Sequence, residues 1–292
     1  MIFRPLHLDD YSRLSPILAT HGSRFADFSF AYLFMWAERY HIEWAEEDGL
    51  VFLRDRLSED VPFDYAVPHR GEALLRAAAR LAEGGPVRLC AVAEDDAAAL
   101  SAHFGARATV TAYDSECDYL YARTDLAAFP GRKYSGKRNH IHAFLREHPR
   151  YAFLPIDDTT MPLLRAFYET YRQTEEDADD GAAAEGRAVY RVLDHFAALR
   201  VQGAILTAED RPVGFYIGEV QGDTLFLHIE KALHEVRGAY PFLVQYAAES
   251  APPCVLYENR EEDDGDEGLR RSKHSYEPIA LLKKYRVTIA PQ

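Results

Sequence analysis

The run Gly203-Ala-Ile-Leu-Thr-Ala-Glu-Asp-Arg-Pro-Val-Gly-Phe-Tyr-Ile-Gly-Glu-Val-Gln-Gly-Asp-Thr-Leu-Phe-Leu-His-Ile-Glu230 decides the fold. Two turn signals, Asp210-Arg211 and Gln221-Gly222-Asp223, separate three apolar runs rich in β-branched and aromatic residues. This pattern predicts hairpins, with strands over Gly203–Ala208, Pro212–Val220 and Thr224–Glu230. The loop Arg237-Gly238-Ala239-Tyr240 then opens a helix over Phe242–Ser250, and Cys254–Tyr257 reads as the next strand. A helix joins the last two strands, so they should lie parallel. Where two such strands splay, their exposed backbone groups and the helix N-terminus form a slot that can hold an anionic group. Ligands of α/β sheets bind at such strand ends.

The rest of the chain follows the same alternation. The first half reads as a strand at Phe3–Leu8, helices at Tyr11–Ala19 and Phe28–Tyr40, and a hairpin over His41–Asp55. A helix at Glu72–Ala82 stops at Gly84-Gly85. A strand at Val87–Ala93, a helix at Ala97–Phe104 and a strand at Thr109–Ala122 with a break near Asp114 follow. The second half starts with a basic helix, Arg132–Glu147, a strand at Tyr151–Ile156 and a helix at Met161–Thr174. The acidic stretch Glu175–Gly186 reads as a loop, Val189–Leu199 as a helix and Leu281–Ile289 as a last strand. Hairpins mixed with strand–helix alternation predict an α/β protein with mixed sheets. The parallel order of elements suggests two copies of one fold, 1–130 and 131–292, meeting near Phe129-Pro130-Gly131, with the cleft in the second.

Composition limits the function classes. The 292 residues are 48% hydrophobic and 27% charged, which is ordinary globular composition. No apolar run approaches the ~20 residues of a membrane span, and the start lacks a secretory core segment. Cys90, Cys117 and Cys254 have no Cys-x-x-Cys spacing, which fits a reducing cytoplasm. The net charge of −14 disfavours wholesale wrapping of nucleic acid while leaving room for a local basic patch. No histidines stand at metal-ligand spacing, so no metal is expected. Without a Gly-x-Ser-x-Gly elbow or a P-loop, direct attack on a bound donor is the simplest chemistry.

Three sets of residues could carry that chemistry. In Asn259–Pro278, an acidic run passes through Gly265 and Gly268 into Arg270, Arg271 and Lys273. Arg270 and Lys273 are three apart on a predicted helix and share a face. Fixed cations there could stabilise the oxyanion of an attacked ester, with Asp263 as base or orienter. Asn259, Arg260 and Tyr276 flank this set as substrate contacts. Glu230, at the end of its strand, could bind an amine or accept its proton. Arg132, Lys133, Lys137, Arg138 and Asn139 form the third set, a basic face for an anionic donor.

Gly131–His142, Leu227–Ala232 with Arg237–Tyr240, and Asn259–Pro278 together resemble the C-terminal domains of phosphatidylglycerol lysyltransferases, long catalogued as a domain of unknown function. That resemblance implies tandem GCN5-related N-acyltransferase (GNAT)-like domains and transfer of an aminoacyl group to an amine or hydroxyl. It further implies an aminoacyl-tRNA donor and a lipid, peptide or small-molecule acceptor, in a cytoplasmic enzyme of bacterial type. Acyl-CoA is the alternative donor, with Arg237, Gly238 and Ala239 at the phosphate loop. In that loop Glu235 and Tyr240 depart from the acyl-CoA pattern, while Gly238 keeps its central glycine. A carboxylate opposes a pyrophosphate and a tyrosine crowds the backbone approach that glycine allows, so no cofactor is expected. A binding module that retains only the cleft is the non-catalytic alternative.

Overall fold

The protein is described from a computed structural model covering residues 1–56, 63–173 and 180–291. Two compact units emerge, and neither is contiguous in sequence. The first comprises Met1–Asp118, Glu262–Arg270 and Leu281–Gln292; the second comprises Tyr119–Glu261 and Arg271–Ala280. The boundary expected near Phe129-Pro130-Gly131 falls inside the second unit.

The first unit begins with β1 (Arg4–Pro5), α1 (Tyr11–Ala19), α2 (Phe30–Tyr40), β2 (Glu43–Glu47), β3 (Leu50–Asp55) and β4 (Asp64–Ala66). It continues through α3 (Gly71–Ala82), β5 (Val87–Val92), α4 (Glu94–Phe104) and β6 (Ala108–Ala112). The chain then passes through β7 (Asp118–Ala122), α5 (Arg123–Ala128), α6 (Ser135–Glu147), β8 (Tyr151–Pro155), α7 (Met161–Gln173), α8 (Asp180–Asp194) and α9 (Phe196–Leu199). The hairpins β9 (Gln202–Ala208), β10 (Arg211–Gln221) and β11 (Thr224–Ala232) lead to α10 (Ala239–Ser250) and β12 (Tyr257–Asn259). The chain closes with α11 (Glu267–His274), β13 (Ala280–Leu282) and β14 (Tyr285–Ile289).

Two seven-stranded mixed sheets result. The first runs β1-β2-β3-β4-β5-β14-β6 and the second β8-β9-β10-β11-β12-β7-β13. The two orders match position by position. In both, the fourth and fifth strands are parallel and joined by a helix, α3 or α10. The sixth position is exchanged: each sheet takes that strand from the other half of the sequence. β14 brings the end of the chain into the first unit, and the segment Glu262–Arg270, also in the first unit, interrupts the second. The exchange also explains the break expected near Asp114, because β6 and β7 lie in different sheets.

Local rules account for most elements. Ser29 caps α2 by accepting from the Tyr32 amide. The core of the second unit lies on one sheet face, where Tyr121, Leu225, Leu227 and Tyr216 meet Phe242 and Leu243 of α10 and Ile141 and Phe144 of α6. Phe167 and Tyr168 of α7 pack edge-on against Phe215 on β10.

Three expectations are corrected. The strand placed at Cys254–Tyr257 begins at Tyr257. Pro252 ahead of it holds a turn through the Val255 amide, and the Leu256 and Tyr257 amides both donate to the Asp223 carbonyl. Helix α5 was not foreseen. The loop expected over Glu175–Gly186 lies partly outside the described residues, but from Asp180 onward the chain is helical.

Candidate functional site

The parallel pairing expected from the hairpin pattern is present in the second unit. β11 and β12 pair only at Thr224–Tyr257, Leu225–Glu258 and Phe226–Asn259. β11 then continues beside β10 to Ala232, while β12 ends at Asn259 and the chain stays hydrogen-bonded to Tyr119 through Arg260 and Glu261. Glu258 and Arg260 are two apart on an extended chain, so they face the same way. Register places Glu258 beside Leu225 and Tyr121, both in the core beneath α10 and α6.

A buried acid–base cluster fills that face. Arg260 Nε donates to Glu230 Oε2 at 2.8 Å, with side chains only 7% and 12% exposed. The guanidinium lies 4.5 Å from the Tyr276 ring centre and 5.6 Å from that of Tyr121. Burial opposes the Arg260 charge, but Glu230, Tyr121, Tyr276 and Glu258 outweigh it and hold the guanidinium ionised. Glu258 is fully buried, and burial pushes its carboxyl up to about 8, against the pull of Arg260 and with the push of Glu230. Glu230 Oε1, Arg260 Nη1 and both Glu258 oxygens have no hydrogen-bond partner among the described residues. Buried polar atoms are nearly always paired, so these four stand out in the second unit.

A second cluster sits where β11 bulges. Ile217 pairs with Ile229 and Gly218 with Leu227, leaving His228 as the extra residue. Gly218 is required there, since a Cβ would lie 2.3 Å from the Phe226 carbonyl oxygen. The bulge aims His228 between two carboxylates, with Nδ1 2.7 Å from Glu261 and Nε2 3.4 Å from Glu219. Burial lowers the His228 pKa, but the two carboxylates overcome it and raise it to about 9. The two carboxylates therefore favour its imidazolium form. No local sequence pattern marks it.

The residues singled out from sequence divide between the units. Asp263 and Arg270 belong to the first unit and form a fork, Nε to Oδ2 and Nη2 to Oδ1, both 2.9 Å, with Asp263 fully buried. Glu230, Arg260, Asn259, Tyr276 and Lys273 belong to the second. Lys273 Nζ donates to the Arg260 carbonyl at 2.6 Å and to that of Glu261 at 3.2 Å, which fixes the turn leaving β12. Asn259 Oδ1 accepts from the Glu261 amide in the same turn. Tyr276 is buried, and its carbonyl accepts from Tyr134.

On the basic face, Lys137 Nζ lies 3.4 Å from the Tyr276 ring centre and donates to Ser275 Oγ. Burial, then Arg260, brings its pKa down to about 8. Lys133 lies 3.6 Å from Asp125. Arg138 donates to the carbonyls of Phe129 and Gly131. Arg132 and Asn139 are exposed.

The start of α10 is crowded. At the start of α10, Ala239 donates its amide to the Val236 carbonyl and Pro241 has no N–H. Arg237 Nε faces His140 Nδ1 at 3.4 Å. A Cβ on Gly238 would lie 2.2 Å from the His140 carbonyl oxygen, so α6 lies against this loop. Gly238 also has a φ of 89°. Gly238→Ala is expected to destabilise the protein by ~1–3 kcal/mol, from strain and overpacking. Urea unfolding measures this, and an unchanged midpoint rejects the close approach.

Residues 18–288 match the family model for the C-terminal region of phosphatidylglycerol lysyltransferase. The chain belongs to this family. A conserved protein of unknown function from Bacteroides thetaiotaomicron is 31% identical, with a TM-score of 0.88 over 99% of this chain and 100% of the other. The C-terminal domain of a protein described as a lysylphosphatidylglycerol synthetase from Agrobacterium fabrum shares the fold at 12% identity, with a TM-score of 0.63 over 96% of this chain and 91% of the other. A Mycoplasmoides gallisepticum protein, MYCGA3080, is 25% identical over 183 residues, or 61% of this chain. The match spans 58% of that relative's length. Family membership and the repeated strand order agree on a fold of two like α/β units. Among the described residues, no helix is long and apolar enough to cross a membrane.

Proposed function

We propose that the second unit transfers an aminoacyl group from aminoacyl-tRNA to an amine or hydroxyl acceptor. The observation that carries this reading is the Glu230–Arg260 pair beyond the last β11–β12 pairing, Phe226–Asn259. Among the described residues, Glu230 Oε1 and Arg260 Nη1 have no hydrogen-bond partner. The acceptor's lone pair attacks the ester carbonyl, and its proton passes to Glu230 Oε1. Arg260 Nη1 donates to the oxyanion that forms. When the carbonyl re-forms, the C–O bond to the tRNA ribose breaks and the leaving oxygen takes up a proton. Glu258 beside the pair keeps the local charge low while it carries a proton.

Family membership and the Agrobacterium fabrum neighbour support an aminoacyl substrate. Exposed Arg132 and Lys133, with Lys137 nearby, suit the donor's phosphates. The crowded α10 N-terminus favours this donor over acyl-CoA. The three free cysteines fit work in a reducing cytoplasm. The test is transfer of a labelled amino acid from charged tRNA to lipid, peptide and small-amine acceptors. Transfer is expected from at least one charged tRNA and from no acyl-CoA. A folded protein that transfers from no charged tRNA would defeat the proposal.

A further inference from the structure

The first sheet ends at β6, which pairs with β14 and has no strand beyond it among the described residues. The other sheet edges are blunted. β1 has two residues and ends in Pro5, β8 ends in Pro155, and β13 has three residues. Short length, proline and charge are how exposed edges avoid pairing with other chains. β6 has none of these protections. It reads Ala108-Thr109-Val110-Thr111-Ala112, without charge or proline, and Thr109 through Ala112 are exposed. Val110 keeps 37% of its accessible surface, unusual for a valine within a sheet.

The strand also reads the same in both directions. An antiparallel pairing of two copies about Val110 sets Val110 against Val110, Thr109 against Thr111 and Ala108 against Ala112. A two-fold axis produces such pairing, because an isologous contact presents one patch to itself. Threonine pairs and β-branched pairs are favourable cross-strand neighbours. The flanks are complementary in charge as well. Arg107 precedes the strand, and exposed Asp114 follows it with Glu116. Pairing about Val110 brings the cationic end of one copy alongside the acidic end of the other. Within one chain, Arg107 donates to the Ala290 carbonyl and Glu116 pairs with Arg286, so both ends are held in place.

We propose that the protein self-associates through β6, with two copies joining their first sheets edge to edge about a two-fold axis at Val110. A seam one strand wide falls short of the ~1,200 Å² at which standard interfaces begin, so the dimer is reversible and depends on concentration. Sedimentation of the full chain over a concentration series tests it, with dimer expected at the upper end. Thr109→Lys/Thr111→Lys sets lysine against lysine twice and is expected to weaken association by about tenfold or more. Thr109→Lys/Thr111→Glu sets lysine against glutamate twice and keeps the dimer. Thr111 lies opposite Arg286 of β14, so the double-lysine variant loses some stability within one chain, and association is compared well below the unfolding temperature measured for each variant. A wild-type chain that stays monomeric at its highest soluble concentration overturns the proposal. So does a double-lysine variant as dimeric as wild type, or a lysine–glutamate variant as dissociated as the double-lysine one.

Discussion

Replacing Glu230 by Gln is expected to lower the aminoacyl transfer rate by about 10²–10⁴-fold, the usual contribution of a positioned general base. The amide is close in shape to the carboxylate and can still accept from Arg260 Nε, so the fold should persist. What it loses is the ability to take a proton on Oε1, the oxygen with no hydrogen-bond partner among the described residues. The loss should therefore fall on kcat, with KM little changed. Raising the pH should restore part of the rate where the acceptor amine is itself deprotonated. An E230Q enzyme within threefold of wild type, or one whose loss lies wholly in KM, would remove Glu230 from the chemistry. Thermal unfolding at the wild-type temperature separates this outcome from damage to the fold.

The second large effect concerns Lys284. This side chain is 5% exposed and meets three carboxylates of the first unit, Asp27 at 2.7 Å, Asp118 at 2.8 Å and Glu262 at 3.1 Å. Burial disfavours its charge, but Asp118, Asp27 and Glu262 reverse that and raise its pKa well above the usual value. Lys284→Met leaves three acids close together around an apolar side chain. Removing one partner of a buried ion pair costs about 3–5 kcal/mol, and a loss of that size is expected in urea unfolding at neutral pH. Adding Asp118→Asn to Lys284→Met should recover part of it, because one uncompensated charge is gone. A loss below ~1 kcal/mol would mean that water compensates the acids without the lysine.

Much of this was legible in the sequence, and what was missed has physical causes. The hairpins over Gly203–Glu230 were readable because apolar alternation and turn residues act locally. The parallel pairing of β11 with β12 followed from one connection rule. Glu230, Asn259 and Arg260 were singled out, and the structure places them together in the second unit. Glu258 was missed because the strand was expected to end at Tyr257. Once β12 is shifted to Tyr257–Asn259, the two-residue spacing of Glu258 and Arg260 puts both on one face. His228 was missed because a bulge and two distant glutamates leave no local signature. Lys273 was expected at the oxyanion, yet its ammonium holds two backbone carbonyls across a turn. A side chain's partner is set by tertiary approach, which helical spacing does not report. The same is true of Lys284, whose three acids come from separate parts of the chain.

The exchange of β7 and β14 gives the molecule an order of assembly. The first sheet lacks its sixth strand until β14, near the far end of the chain, has been made. A chain growing from its N-terminus can usually finish one domain before the next begins. Here the early half emerges with a gap between β5 and β6, and it carries in β7 a strand that belongs to the later half. Neither half holds all seven strands of its own sheet. The two therefore mature together, and a gene cut at their midpoint yields two incomplete pieces instead of two portable modules.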